Sequence, residues 1–334
     1  MLPLPQWSRR PLALIVILGV AAAVSPQDPT PSAMARSAAA FLECLDDEQQ
    51  LNAQAAYADA DRLDWHFIPR ERTGLPLGNM DAAQQASAWA LLGTALSNRG
   101  IRRVQGVIAL EGVLRELEST PEKVATWRDP GSYFISIFGD PLGKAPWAWR
   151  LEGHHISLSV TCTADGVRTT PFFLGANPRV VAEGLHAGFA LLAEEDAAAR
   201  KLYLSLDEEA KQAAQAGPVE GDVILGPGQE QRMPARGLPA TDMNTGQRAS
   251  LHALIEIWAS LLSPKLARTE LARLRDTEFD QLVFAWVGPE QEGKAHGWRI
   301  FSESFALEWI TPNAEASHVH ALWRDLTRDF GRTR

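Results

Sequence analysis

Hydrophobic and polar positions along this chain follow two periods in turn. Leu251, Leu254, Ile255, Trp258 and Leu262 recur at the three-to-four spacing that puts a single apolar stripe on a helix. Val107, Leu110, Leu114 and Leu117 predict a second such helix over 102–118, and Pro264 suits the first turn of another over 264–275. Asp81 and Asn244 each stand three residues before a glutamine, Gln84 and Gln247, a reciprocal capping pattern that should open a helix at both places. The period then shortens to two. Residues 133–138 and 147–163 are rich in aromatic and β-branched side chains and flank the turn Asp140-Pro141-Leu142-Gly143, and 169–174 would add a strand. Residues 281–287 and 298–310 repeat the arrangement, with Gly288-Pro289 opening the connection. Asn177-Pro178 is expected to start a long helical stretch reaching Leu206. The class is α+β: helices followed by an antiparallel β-hairpin or sheet.

That order of elements occurs twice, and residues recur with it. Residues 74–92 lie without a gap on 237–255, keeping Gly-Leu-Pro, a Met, a Gln and an Ala-Ser pair. Upstream, 45–48 answer 206–209; downstream, 134–158 answer 283–307, each with a glycine, then Gly-Lys-Ala, then Trp-Arg-aliphatic. So long a period excludes a solenoid and points to duplication of a half-domain; the alternative is two unrelated helix-hairpin stretches of similar composition. The expected organisation is a signal peptide (1–23), a disordered lead-in (24–36), a first repeat (37–177) and a second (178–331), the two packed as one globular unit.

The leader rests on Arg9-Arg10, an apolar run from Leu12 to Val24 too short to span a bilayer comfortably, and the small residues Ala21-Ala22-Ala23. An uncleaved N-terminal anchor is the alternative. The expected product is periplasmic or secreted, without stable membrane insertion. Its 41 acidic residues exceed its 32 basic ones, and no basic run or stripe is evident, which disfavours nucleic acid as a partner. Two cysteines, Cys44 and Cys162, are too few for a disulfide framework, though one accessory bridge is open to them.

Candidate chemistry lies with histidine. On a strand, His318 and His320 present two imidazoles to one side, while the adjacent pair His154 and His155 offers one ligand to any shared site. Three imidazoles from His318, His320 and one of that pair, with His296 or Glu308 as a fourth ligand, suit zinc or copper by ligand type, although the spacing matches no standard zinc signature. Convergence of the nitrogens within about 4 Å would support a metal at ~2.1 Å bonds. A polar pocket without metal and hydrogen-bonded structural histidines are the competing readings.

Arginine forms a second group. Arg150 and Arg299 each follow a tryptophan at the repeated position and Arg324 follows Trp323, a placement typical of structural stacking, with Asp325 and Asp329 available as partners. The segment 65–72 has no evident counterpart in the second repeat, which makes His66 and Arg72 candidates for acid–base or substrate roles. Signatures of common hydrolases, kinases, dehydrogenases and metalloproteases are missing from the sequence.

With these residues assembled, the chain resembles an exported bacterial and fungal family known only as domain of unknown function 3500. The resemblance is carried by Trp65-His66 with Pro69 and Arg72, Gly74-Leu75-Pro76, Trp149-Arg150 with Glu152-Gly153-His154-His155, Gly175-Ala176-Asn177-Pro178, and an ending of His318, His320, Trp323-Arg324-Asp325 and Asp329-Phe330-Gly331. It implies importance for His66, Arg72, His154, His155, His296, His318 and His320 without implying a reaction; Ile310-Thr311-Pro312-Asn313 departs from the family's pattern. The functional expectation is a histidine-lined pocket binding a transition metal, zinc or copper, in a protein whose status as an enzyme is open. If it is an enzyme, hydrolytic or oxidative, His66, Glu152 and Arg72 are the catalytic candidates, and Arg72, Arg150 and Arg324 would hold a small-molecule substrate. The alternative is a non-catalytic extracytoplasmic binder of a small anionic ligand.

Overall fold

The computed structural model describes residues 31–120, 122–228 and 236–332. Its first half runs α1 (Pro31–Glu43), α2 (Asp47–Ala53), β1 (Gln54–Ala55), β2 (Leu75–Pro76), α3 (Ala82–Ala95), α4 (Asn98–Glu118), β3 (Tyr133–Phe138), β4 (Trp147–Gly153), β5 (Ile156–Thr163), β6 (Gly166–Arg168) and β7 (Phe172–Ala176). The second runs α5 (Ala193–Leu204), α6 (Glu208–Ala214), β8 (Leu238–Pro239), α7 (Thr245–Ala259), α8 (Pro264–Thr277), β9 (Val283–Val287), β10 (Gly297–Phe301), β11 (Phe305–Ile310) and β12 (Val319–Asp325). The fold is therefore a mixed α+β one.

Local chemistry sets the helix starts. The Asp81 carboxylate accepts the Gln84 amide at 2.8 Å while the Gln84 side-chain oxygen accepts the Asp81 amide at 2.9 Å. Asn244 and Gln247 repeat the exchange at 3.0 and 2.9 Å. One expected helix is shorter than its pattern suggested. After Asn177-Pro178 the chain runs irregularly to Leu192, because Gly184 and Gly188 sit at φ of 82° and 84° and turn it back, and helix begins only at Ala193. Helix α1 starts at Pro31, within the stretch expected as lead-in, while the expected leader lies outside the described residues. Among the described residues no helix is long and apolar enough to cross a membrane. Cys44 and Cys162 are free thiols; burial pushes the Cys162 thiol up to about 12.

Among the described residues the strands join one sheet in the order β1-β3-β4-β5-β7-β12-β11-β10-β9-β8, with β2 and β6 attached to β3 and β5. The two halves meet where β7 pairs antiparallel with β12, setting Gly175 opposite His320 and Phe173 opposite Leu322. Successive side chains on a strand point to opposite faces, and here the two faces differ sharply. Trp149, Trp298, Trp309, Trp323 and Phe172 enter the large core beneath the helices, with Trp258 of α7. The other face carries Arg150, Glu152, Phe173, Arg299, Glu308 and His320, and is covered by two segments without regular strands, one around Trp65 and Phe67, the other around Val223 and Leu225. A sheet so covered on both sides can bury polar side chains only if each finds a partner.

Candidate metal centre

The site forms on the covered polar face, at the seam between the halves. His154 and His155 are not strand residues but the two-residue turn between β4 and β5, where Gly153 pairs with Ile156. His155 takes φ of 60°, a left-handed conformation that costs a non-glycine residue energy. Two backbone bonds hold it there: its amide donates to the Phe67 carbonyl at 2.9 Å, and its carbonyl accepts the Gly175 amide at 2.8 Å. The turn leaves the neighbouring rings stacked but gives them different partners. His155 points to the seam, while His154 stacks on it at 3.8 Å and bonds through Nδ1 to buried Glu111 of α4 at 2.6 Å. The pair thus supplies one imidazole to the seam, as expected, through turn geometry and not through strand alternation.

His320, on β12, meets that imidazole: the Nε2 atoms of His155 and His320 are 3.2 Å apart. Two nitrogens on a tetrahedral metal at ~2.0–2.1 Å lie roughly 3.3–3.4 Å apart, so this spacing fits a shared cation as well as it fits a hydrogen bond between neutral rings. His318, just before β12, completes the set, and one ligand nitrogen from each of the three residues lies within 4.8 Å of the others. The convergence expected from sequence, about 4 Å, compares with this 4.8 Å limit.

The surroundings favour nitrogen lone pairs. Burial holds the His155 imidazole well below its ordinary range, with nearby His154, His320 and His318 adding to the effect. His318 is lowered to about 4, again chiefly by burial. His320 is oriented from its far side, where Nδ1 lies 2.6 Å from the Asp222 carboxylate. Burial alone would raise Asp222, but the His320 bond and charge outweigh it and the carboxyl ends below its ordinary value. A carboxylate on Nδ1 fixes that nitrogen as the donor and leaves Nε2 facing His155 as a lone pair, the arrangement usual for metal-bound histidine. Phe67 stacks on Phe173 at 3.9 Å, and both present their rings to His320, at 5.0 and 5.3 Å, closing the inner side of the site against water.

The remaining candidates are placed elsewhere. His296 is fully buried on the helix face, between Trp286 and Trp309, with Nε2 2.7 Å from Asp196 of α5. It stands across the sheet from the trio. Glu308 and Glu152 face the polar side but are engaged by the covering segments. Glu152 accepts from the His66 amide at 3.0 Å and Arg72 Nε at 3.0 Å; the His66 ring turns back to accept the Phe67 amide at 3.1 Å, and its imidazole is lowered by burial, then by Arg70 and Arg72. The Arg72 guanidinium also donates to the carbonyls of Ile68, Arg70 and Gly153. Arg150 donates to Asp61 and Asp64, while Arg324 is bound by Asp329 and the Leu225 carbonyl. These arginines tie loops to the sheet. Asp222, Glu111 and Gly175 escaped sequence reasoning as site residues. Only Gly175 left a signal, in the string Gly175-Ala176-Asn177-Pro178; the other two are joined to their histidines only by folding.

A family model described as "Protein of unknown function (DUF3500)" matches residues 27–332. No curated protein and no solved structure matches the chain.

Proposed function

The chain belongs to the DUF3500 family, whose function is unknown, and we propose from its geometry that it is a transition-metal protein whose ion is held by His155, His318 and His320. The single observation that carries this reading is the 3.2 Å approach of two imidazole nitrogens, one of them backed by Asp222, with a third histidine alongside. Three neutral imidazoles suit zinc or copper. Three protein ligands leave a coordination position for water or a small exogenous molecule, which is the arrangement of catalytic metal sites, where the ion lowers the pKa of bound water. The commitment of Arg72, Arg150 and Arg324 to internal partners favours the metal over an arginine-lined anion pocket.

The reading includes export, supported by Arg9-Arg10 and the apolar run that follows, and an ancestral duplication, supported by the matching residue strings and the like order of elements in each half. Under it the metal joins the halves, since His155 comes from one and His318 and His320 from the other. Elemental analysis after reconstitution with Zn²⁺ or Cu²⁺ tests the proposal. One equivalent per chain is expected in the wild type, and alanine at the three histidines should abolish it; less than about a tenth of an equivalent in the wild type refutes it.

A further inference from the structure

Two buried glutamates on the polar face perform the same task at opposite ends of the site. Glu152 of β4 accepts the His66 amide and Ser157 hydroxyl at Oε2 (3.0 and 3.2 Å) and Arg72 Nε at Oε1 (3.0 Å). This pins the covering segment one residue before Phe67, whose carbonyl holds the His155 amide and whose ring lies against His320. Glu308 of β11 accepts the Ile224 amide at Oε2 (2.9 Å), the Leu225 amide at Oε1 (3.0 Å) and Arg299 Nε (3.0 Å). This pins the other segment two residues after Asp222, the carboxylate on His320. Each glutamate is 1–2 % exposed and receives donors at both oxygens, so exchange for glutamine turns one acceptor into a donor facing another donor.

Resting on the metal reading above, we infer that Glu152 and Glu308 are positioning residues for the centre: each clamps the covering segment of its own half, one delivering the backbone hold on His155 and the other the carboxylate that orients His320. Neither touches the metal. Their effect passes through Phe67 and Asp222, the groups bonded directly to the ligands, and losing such direct partners characteristically changes affinity 10- to 100-fold.

The test uses the full chain with Glu152→Gln and Glu308→Gln, the milder Arg72→Lys and Arg299→Lys in case a glutamine variant does not fold, and His296→Ala as a destabilised control on the opposite face. Co²⁺ affinity is measured by competition with a chromophoric chelator, and imidazole ¹⁵N shifts are recorded on the metal-free protein. Both clamp variants should weaken Co²⁺ binding about 10-fold or more, and Glu308→Gln should convert His320 from one tautomer to a mixture. His296→Ala should lower the melting temperature yet leave both readouts at wild-type values. Wild-type protein that binds neither Co²⁺ nor Cu²⁺ refutes the metal reading and this inference with it. Normal wild-type binding with clamp variants no weaker than the control overturns the positioning role alone, as does an unchanged His320 tautomer in Glu308→Gln.

Discussion

Adding one methyl group at Gly175 should disable the proposed centre. Gly175 lies on β7 opposite His320, and a Cβ built there would stand 2.8 Å from His155 Cδ2 and 2.9 Å from Cγ. Non-bonded carbons settle at ~3.5–4.0 Å, so the imidazole must yield by about 0.7 Å or more. It has little freedom to do so, since the His155 backbone is held at 2.9 and 2.8 Å on either side and its ring is stacked on His154 at 3.8 Å. Metal–nitrogen bonds tolerate about ±0.2 Å, several times less than the forced shift. Gly175→Ala should therefore weaken Zn²⁺ binding 100-fold or more, about 2.7 kcal/mol. Overpacking of this kind also costs ~1–3 kcal/mol of stability, which over a chain of this size lowers the melting temperature by roughly 2–5 °C. Chelator competition and thermal melts measure the two effects. Gly93→Ala on α3 is the control, because its new methyl meets nothing within 4 Å; it should bind Zn²⁺ normally and be as stable or more so. Zn²⁺ affinity within about threefold of wild type in Gly175→Ala, at unchanged melting temperature, would refute the packing argument.

Other outcomes follow from the same contacts. His296→Ala should retain full metal stoichiometry while losing about 3 kcal/mol in urea unfolding, since it opens a cavity between Trp286 and Trp309 and removes the Asp196 hydrogen bond; loss of metal instead would place His296 in the centre. Zn²⁺ at 100 times its dissociation constant should stabilise the wild type by ~2.7 kcal/mol, a rise of about 4 °C in melting temperature, and the triple alanine variant should gain nothing. Burial outweighs the attraction of Arg103 and holds the Glu195 carboxyl above its ordinary 4.5, so the folded chain keeps a proton the unfolded chain has released. The resulting stability is fully present below that ordinary value and is lost as pH rises through the folded one. Glu195→Gln, neutral throughout, should flatten this part of the curve of urea midpoint against pH, and an unchanged slope would count against the assignment.

Sequence legibility was greatest where the physics is local. The capping pairs at Asp81 and Asn244 and the strands around Tyr133, Trp147 and Val283 depend on residues a few positions apart, and they stand where the pattern put them. The stretch after Asn177 misled, because its helical composition yields to two glycines in left-handed conformations. For the site, residue type and two-residue spacing identified His318 and His320 as partners, and the adjacent pair as the source of a third ring.

By itself, then, the chain determined most of its elements, the in-and-out alternation that separates tryptophans from arginines and glutamates, and the histidines that could hold a metal. The fold decided which of those groups meet. His155 reaches His320 because β7 lies against β12 and a left-handed residue in the turn aims one ring of the pair, whereas His296, just before β10, falls on the helix side in phase with Trp298 and Ile300. Asp222, 98 positions from His320 along the chain, becomes its partner only when a loop without a strand of its own is clamped across the sheet. Periodicity reports which face a residue takes; contacts between distant residues are set by strand pairing and loop closure, whose energetics involve the whole chain at once.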